Sequence, residues 1–137
     1  DQTAVDNPAE IPAKMLAFAQ DALRDALKDT HAFARGLGEY LTEPKPNVWF
    51  DTSETSHHLA TAIRANGCRL DRRTRMMFDA THVFINGESF TATGRDALLM
   101  RGLANERFLS AKDTCKVSAQ AFELLLTWAE AGWLTAV

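Results

Sequence analysis

The nine residues HVFINGESF, 82–90, constrain this chain more than any other stretch. Asn86-Gly87 is the strongest short signal for a β-hairpin, because both central residues of such a turn need positive φ. With a two-residue loop the register follows: Ile85 faces Glu88, Phe84 faces Ser89 and Val83 faces Phe90. Side chains alternate along a strand, so Val83, Ile85 and Phe90 share the face turned to the core. Phe84 points the other way, which predicts a hairpin covered on both sides. The β signal as a whole runs over RMMFDATHVFINGESFT, 75–91.

Helical patterns flank the hairpin. Thr55 or Ser56 is placed to cap a short helix that turns Leu59, Ala62 and Ile63 inward and stops at Gly67. Thr93 caps a helix with Leu98, Leu99, Gly102 and Leu103 on its apolar side, and RFLS, 107–110, reads as a short strand. Ser118 opens a last helix, 118–131, with Phe122, Leu125, Leu126 and Ala129 inward. Gly132 ends it, and Trp133-Leu134 run on as a closing strand. Helix, hairpin, helix, helix and strand make a small mixed module of the winged-helix kind over residues 53–137.

Residues 1–52 read differently. Pro12 suits a first helical turn, where its missing N–H costs nothing. Met15, Leu16, Phe18, Ala19, Ala22, Leu23, Ala26 and Leu27 then recur at spacings of three and four. That stripe is too broad for one short neighbouring helix to cover. Asp29 or Thr30 caps a second helix expected to bury Phe33, Leu37, Tyr40 and Leu41, with Gly36 and Gly38 weakening its middle. A pair of helices this small exposes apolar surface, so a second copy or a further domain is expected against residues 12–41. Leu16, Ala19, Leu23, Leu27, Phe33, Leu37 and Tyr40 are the expected dimerisation residues. TEPKPN, 42–47, stops the second helix, since residues before proline avoid the α region. Trp49 and Phe50 are expected to anchor the following extended stretch on a core, making a fixed joint. The fold class is α+β and mostly helical: a helical dimerisation segment over 1–52 and a winged-helix-like domain over 53–137.

Bulk properties narrow the function. The 137 residues are 46% hydrophobic and 24% charged, the composition of an ordinary globular protein. No apolar run approaches the roughly 18 residues of a membrane-crossing helix. A net charge of −3 argues against general affinity for nucleic acid or anionic membrane. The charge is uneven, with nine acids against five bases in residues 1–52 and ten bases against nine acids in the remainder. Cys68 and Cys115 lack paired spacing and read as two reduced, half-buried thiols of a cytoplasmic protein. The chain opens DQTAVDNP, with neither an initiator Met nor a signal-peptide pattern, as a processed chain or a fragment does.

Catalytic chemistry is hard to place. A non-haem iron triad needs a His with a carboxylate two residues on. His31, His57, His58 and His82 are followed at that position by Phe33, Leu59, Ala60 and Phe84. His57 and His58 are adjacent, about 100° apart on a helix, and cannot converge on one ion. No G-x-S-x-G motif and no glycine-rich phosphate loop occurs. No catalytic, cofactor-binding or metal-ligating residue is therefore expected in this chain. The one concentrated charge is CRLDRRTRMMF, with Arg69, Arg72, Arg73 and Arg75 as a candidate interaction patch. A duplex-binding winged helix wants Lys and Arg on its recognition helix, but the helix at 118–131 carries only Glu123 and Glu130. Nucleic acid is thus not the expected partner, and the arginines are expected to meet the acidic first segment or another domain.

Three stretches together resemble one family: FARGLGEYLTEPKPNVWFD (33–51), LDRRTRMMF (70–78) with HVFINGESF (82–90), and FELLLTWAEAGWL (122–134). They are similar to the C-terminal part of the bacterial JmjC/cupin ribosomal oxygenases, which hydroxylate an arginine of a large-subunit ribosomal protein. The resemblance covers the chain from about residue 9 onward. It implies a homodimerising helical region, an accessory winged helix, and a preceding JmjC barrel that carries Fe(II) and 2-oxoglutarate. It carries no catalytic residue onto this chain, and implies the chain's own catalytic domain and a ribosomal protein as partners. The other reading is a free-standing winged-helix nucleic-acid-binding protein with a dimerisation hairpin, which predicts salt-sensitive binding.

Overall fold

The structure, a computed structural model, describes residues 11–52 and 56–137, with Ser56 described by its backbone alone. Six helices and six strands are present among the described residues. The chain forms two compact units that divide between Gly36 and Leu37.

The first unit holds helix α1, Ala13–Ala26, and the opening turns of α2, Thr30–Thr42. Pro12 stands at the N-cap of α1, one position before the helix. Asp29 starts α2, its carboxylate accepting from the Ala32 N–H at 3.0 Å. No residue of α1 is buried.

The second unit begins inside α2 and contains the core. Helix α3, Ser56–Asn66, leads through Gly67 into β1, Cys68–Leu70. Strands β2, Met76–Phe78, β3, His82–Ile85, and β4, Glu88–Thr91, form an antiparallel meander. Helix α4, Gly94–Glu106, then leads to β5, Phe108–Leu109. A single turn, α5, Ala111–Thr114, precedes α6, Ala119–Glu130, and the chain closes with β6, Leu134–Ala136. A second antiparallel sheet has the order β5-β1-β6, so a strand from before the meander sits at its centre.

The hairpin register is the expected one: Ile85 pairs with Glu88, Phe84 with Ser89 and Val83 with Phe90. Asn86 and Gly87 have φ of 46° and 90°, as a two-residue turn requires. The Asn86 side chain is drawn inward as well, its Oδ1 accepting from the Arg75 N–H at 3.0 Å and tying the turn to the start of β2. Val83 and Ile85 enter a core with Ile63, Leu103, Leu125, Trp128 and Leu134, all essentially without solvent contact. Burial of this apolar surface is the main stabilising contribution.

Phe84 is buried on the opposite face by α2, which covers the meander's second side. The helix sits so close that a Cβ on Gly38 would lie 2.3 Å from the Phe84 ring. Thr42 is buried beside it, accepting from the Gly87 N–H at 3.0 Å and donating to the Gly38 carbonyl at 2.9 Å. The Ser89 hydroxyl donates to the Glu39 carboxylate. This corrects the expected face of α2. Small residues, Gly38 and Thr42, face the protein, whereas Phe33, Leu37, Tyr40 and Leu41 are exposed.

Other expectations also shift. Helix α4 buries Ala97, Met100 and Leu103, while Leu98 is exposed, because the meander and sheet engage the stripe one position round from the expected one. Thr93 occupies the N-cap of α4 without making a side-chain cap bond. Ser118 caps α6 by accepting from the Ala121 N–H at 3.1 Å. Of the two caps expected for α3, Thr55 lies outside the described residues. Cys68 is buried and Cys115 exposed, rather than both half-buried.

Candidate functional site

Two surfaces carry the residues singled out by sequence. On α1, Leu16, Ala19, Leu23 and Leu27 are all exposed, Leu23 at 66%. Their spacing of three and four residues places them along one face of that helix. Toward its C-terminal end Arg24 pairs with Asp21, and Lys28, just past the helix, pairs with Asp25, each at 2.7 Å. Such exposed pairs contribute little to stability, so nothing on α1 compensates for its apolar face being in water. On α2, Phe33, Leu37 and Tyr40 follow one another at spacings of four and three and are exposed, Tyr40 at 74%. All seven expected contact residues thus lie in solvent in the single chain.

The arginine cluster divides into different roles. Arg73 grips the Asp71 carboxylate with both prongs of its fork, Nε to Oδ1 at 2.8 Å and Nη2 to Oδ2 at 3.0 Å. Its Nη2 also reaches Asp51 Oδ2 at 3.3 Å, and its guanidinium lies 5.5 Å from the Phe50 ring centre. Asp51 belongs to the acidic residues before 53, so one arginine of the four meets that segment. The Arg73 hydrogen bond holds the Asp71 carboxyl below the usual carboxylate range despite some burial, and Asp71, then Asp51, push the guanidinium upward. Arg69 projects from β1 over the Phe108 ring at 5.4 Å, and Arg72 and Arg75 are exposed.

Arg107, which sequence reasoning passed over, completes this corner. It ends α4 in the left-handed region at φ 58°, and its Nη2 donates to the carbonyls of Asp71 and Thr74 at 2.7 and 3.0 Å. The turn from Asp71 to Thr74 is therefore clamped from two sides, and Thr74 in turn donates to the Trp133 carbonyl at 2.7 Å.

The same corner fixes the stretch after TEPKPN. Phe50 meets Trp133 edge-on at 6.4 Å. Gly132, at φ 76°, packs so tightly that a Cβ there would lie 2.2 Å from the Asp51 carbonyl oxygen. Anchoring is thus through Phe50 and Asp51. Trp49, expected to share it, is 74% exposed, because alternate residues of an extended chain point to opposite sides.

No group of three or more His, Cys, Asp or Glu able to hold a metal occurs among the described residues. His82 Nδ1 lies 3.1 Å from the Thr81 hydroxyl and 3.6 Å from the Asp79 carboxylate, one acid and no second histidine or cysteine among the described residues. Burial opposes ionisation of Asp79, but the N–H groups of Thr81 and His82 outweigh it and lower its pKa. Burial pushes the Cys68 thiol up to about 12, far from a nucleophile's range. No described helix is long and apolar enough to cross a membrane. The exposed charges of α6 are Glu123 and Glu130, with no Lys or Arg along the helix.

Helices and short antiparallel strands in this arrangement define a winged-helix module preceded by an apolar helical segment. Residues 21–135 match the family model for the ROXA-like winged helix, and the chain belongs to that family. Solved structures of the Escherichia coli ribosomal oxygenase YcfD share the fold. One, in complex with cobalt and succinic acid, matches with a TM-score of 0.70 at 15% identity. Another, with cobalt and 2-oxoglutarate, matches with a TM-score of 0.69 at 15% identity. Each alignment covers 98% of this chain and 38% of the YcfD chain, so this chain spans well under half the length of those proteins. No curated protein sequence matches the chain.

Proposed function

We propose that this chain is the non-catalytic dimerisation and substrate-positioning region of a cytoplasmic 2-oxoglutarate/Fe(II)-dependent JmjC oxygenase that hydroxylates an arginine of a ribosomal protein. The observation that carries the reading is the coverage, nearly all of this chain against little more than a third of a ribosomal oxygenase solved with cobalt and 2-oxoglutarate. In this reading residues 1–52 join two copies, and residues 53–137 are the accessory winged helix. The solvent-exposed Leu16, Leu23, Leu27 and Phe33 support the first assignment, since apolar helix faces gain by pairing.

The described residues do not fit an iron centre: no carboxylate and histidine pair converges with a third ligand. In this reading Fe(II) and 2-oxoglutarate are held by the catalytic domain of the longer protein. On the same reading the contribution of the chain is geometric, pairing two catalytic domains and supplying an accessory module to each. The acidic α6 tells against duplex binding, because phosphates repel carboxylates.

Mass spectrometry tests the reading. The full-length gene product, supplied with Fe(II) and 2-oxoglutarate, is expected to add one oxygen atom to an arginine of a large-subunit ribosomal protein. The 137-residue chain alone is expected to add none. Hydroxylation by the chain alone, or none by the full-length product, would overturn the proposal.

A further inference from the structure

We propose that the groove between β4 and α6 is a docking site for a Lys or Arg side chain of a basic polypeptide. The inference deepens the oxygenase reading, in which a ribosomal protein supplies such a segment.

The groove is an open one of about 420 Å³ between residues 89–91 and one face of α6, room for a long side chain. Phe90 and Leu124 give it apolar walls, and the Phe90 ring is itself held edge-on by Trp128 at 5.4 Å. A flexible aliphatic stem packs on such walls while its charged head stays at the rim.

The rim is built to accept hydrogen bonds. Glu123 is the only charged residue lining the groove, it is exposed, and no ion pair engages it among the described residues. Thr127 Oγ1 already donates its proton to the Glu123 carbonyl at 2.9 Å, whereas the Ser89 hydroxyl is taken up by Glu39 on the other face of β4. The Thr127 hydroxyl oxygen is left as an acceptor beside the carboxylate, and the Gln120 amide adds a carbonyl. An acceptor-rich rim with one negative charge suits a guanidinium or an ammonium, which have donors and no acceptor. It repels an anion. The groove thus lies on the helix that a duplex-binding module would make basic, with its charge inverted.

Fluorescence anisotropy with a labelled, unstructured Arg/Lys-rich peptide tests this at low salt. Glu123→Gln keeps the shape and is expected to weaken binding about fivefold, the size of one partly exposed ion pair. Glu106→Gln, which removes an exposed acid at the end of α4 outside the groove, is expected to leave binding unchanged. Amide shifts on peptide addition are expected at 89–91 and 120–127. Equal weakening by both variants, no effect of Glu123→Gln, or tighter binding of a single-stranded RNA oligonucleotide in this groove would overturn the proposal. Failure here leaves hydroxylation by the full-length product unaffected. Glu123-dependent peptide binding without hydroxylation would remove the oxygenase reading and keep the groove.

Discussion

Replacing Gly38 by Ala probes how α2 is seated on the meander. The new Cβ would lie 2.3–2.4 Å from Cζ, Cε1 and Cε2 of Phe84, where carbon atoms at rest stand about 3.5–4.0 Å apart. The ring is only 3% exposed and has little room to swing away. Overpacking of this kind costs about 1–3 kcal/mol, against about 1 kcal/mol gained because Ala favours a helix over Gly. The net effect in the wild-type background is a loss of up to about 2 kcal/mol. Phe84→Leu removes the three ring atoms that conflict. In that background Gly38→Ala is expected to stabilise by about 1 kcal/mol, the helix preference alone. The sign therefore reverses, with a coupling of about 1–3 kcal/mol across the double-mutant cycle. Urea unfolding of the four proteins, followed by far-ultraviolet circular dichroism, measures it. A stabilising Gly38→Ala in both backgrounds, with no coupling, would refute the seating of α2 on Phe84.

Further predictions concern charge and thiol chemistry. Asp71 has a folded pKa held below its unfolded value by Arg73, so its contribution is present above the unfolded pKa and lost as pH falls through the folded one. Asp71→Asn is therefore expected to destabilise at pH 7, with a penalty that shrinks as pH falls through and below the ordinary carboxylate range. A thermal melting series of both proteins across that range checks it, and an equal penalty at both ends would contradict the ion pair. In native protein at pH 7.5, a thiol reagent is expected to label Cys115 quickly and Cys68 only after denaturation, since Cys68 is buried with its pKa near 12. Peptide mass mapping of the labelled sites reads this directly.

What the sequence disclosed depended on whether the determining interaction was local. The Asn86-Gly87 turn and the pleat set the hairpin's register within a few residues, so the pairing of Val83 with Phe90 could be read in advance. The apolar spacing of Phe122, Leu125 and Ala129 likewise carried the inward face of α6. The face of α2 could not be read this way. Its bulky residues suggest an inward stripe, yet the protein side is chosen by the absence of a side chain at Gly38, which lets the helix reach Phe84. Strand β1 was hidden because its three residues, Cys68, Arg69 and Leu70, alternate over too short a run to stand out and lie at the edge of a charge run. The arginine cluster looked like one surface, but Arg73 is committed to its near neighbour Asp71 and to Asp51, which only folding brings near. Arg107, a residue in ordinary surroundings in sequence, became part of that corner through contacts more than thirty residues away.

The apolar helical segment is proposed to join two copies of the chain. Light scattering over a dilution series, for wild type and Leu23→Asp, tests it most directly. The account predicts a dimer for the wild type and a folded monomer for the variant, because a carboxylate in the middle of the α1 face is costly to bury. A wild-type monomer at every concentration, or a dimer that Leu23→Asp leaves intact, would contradict it.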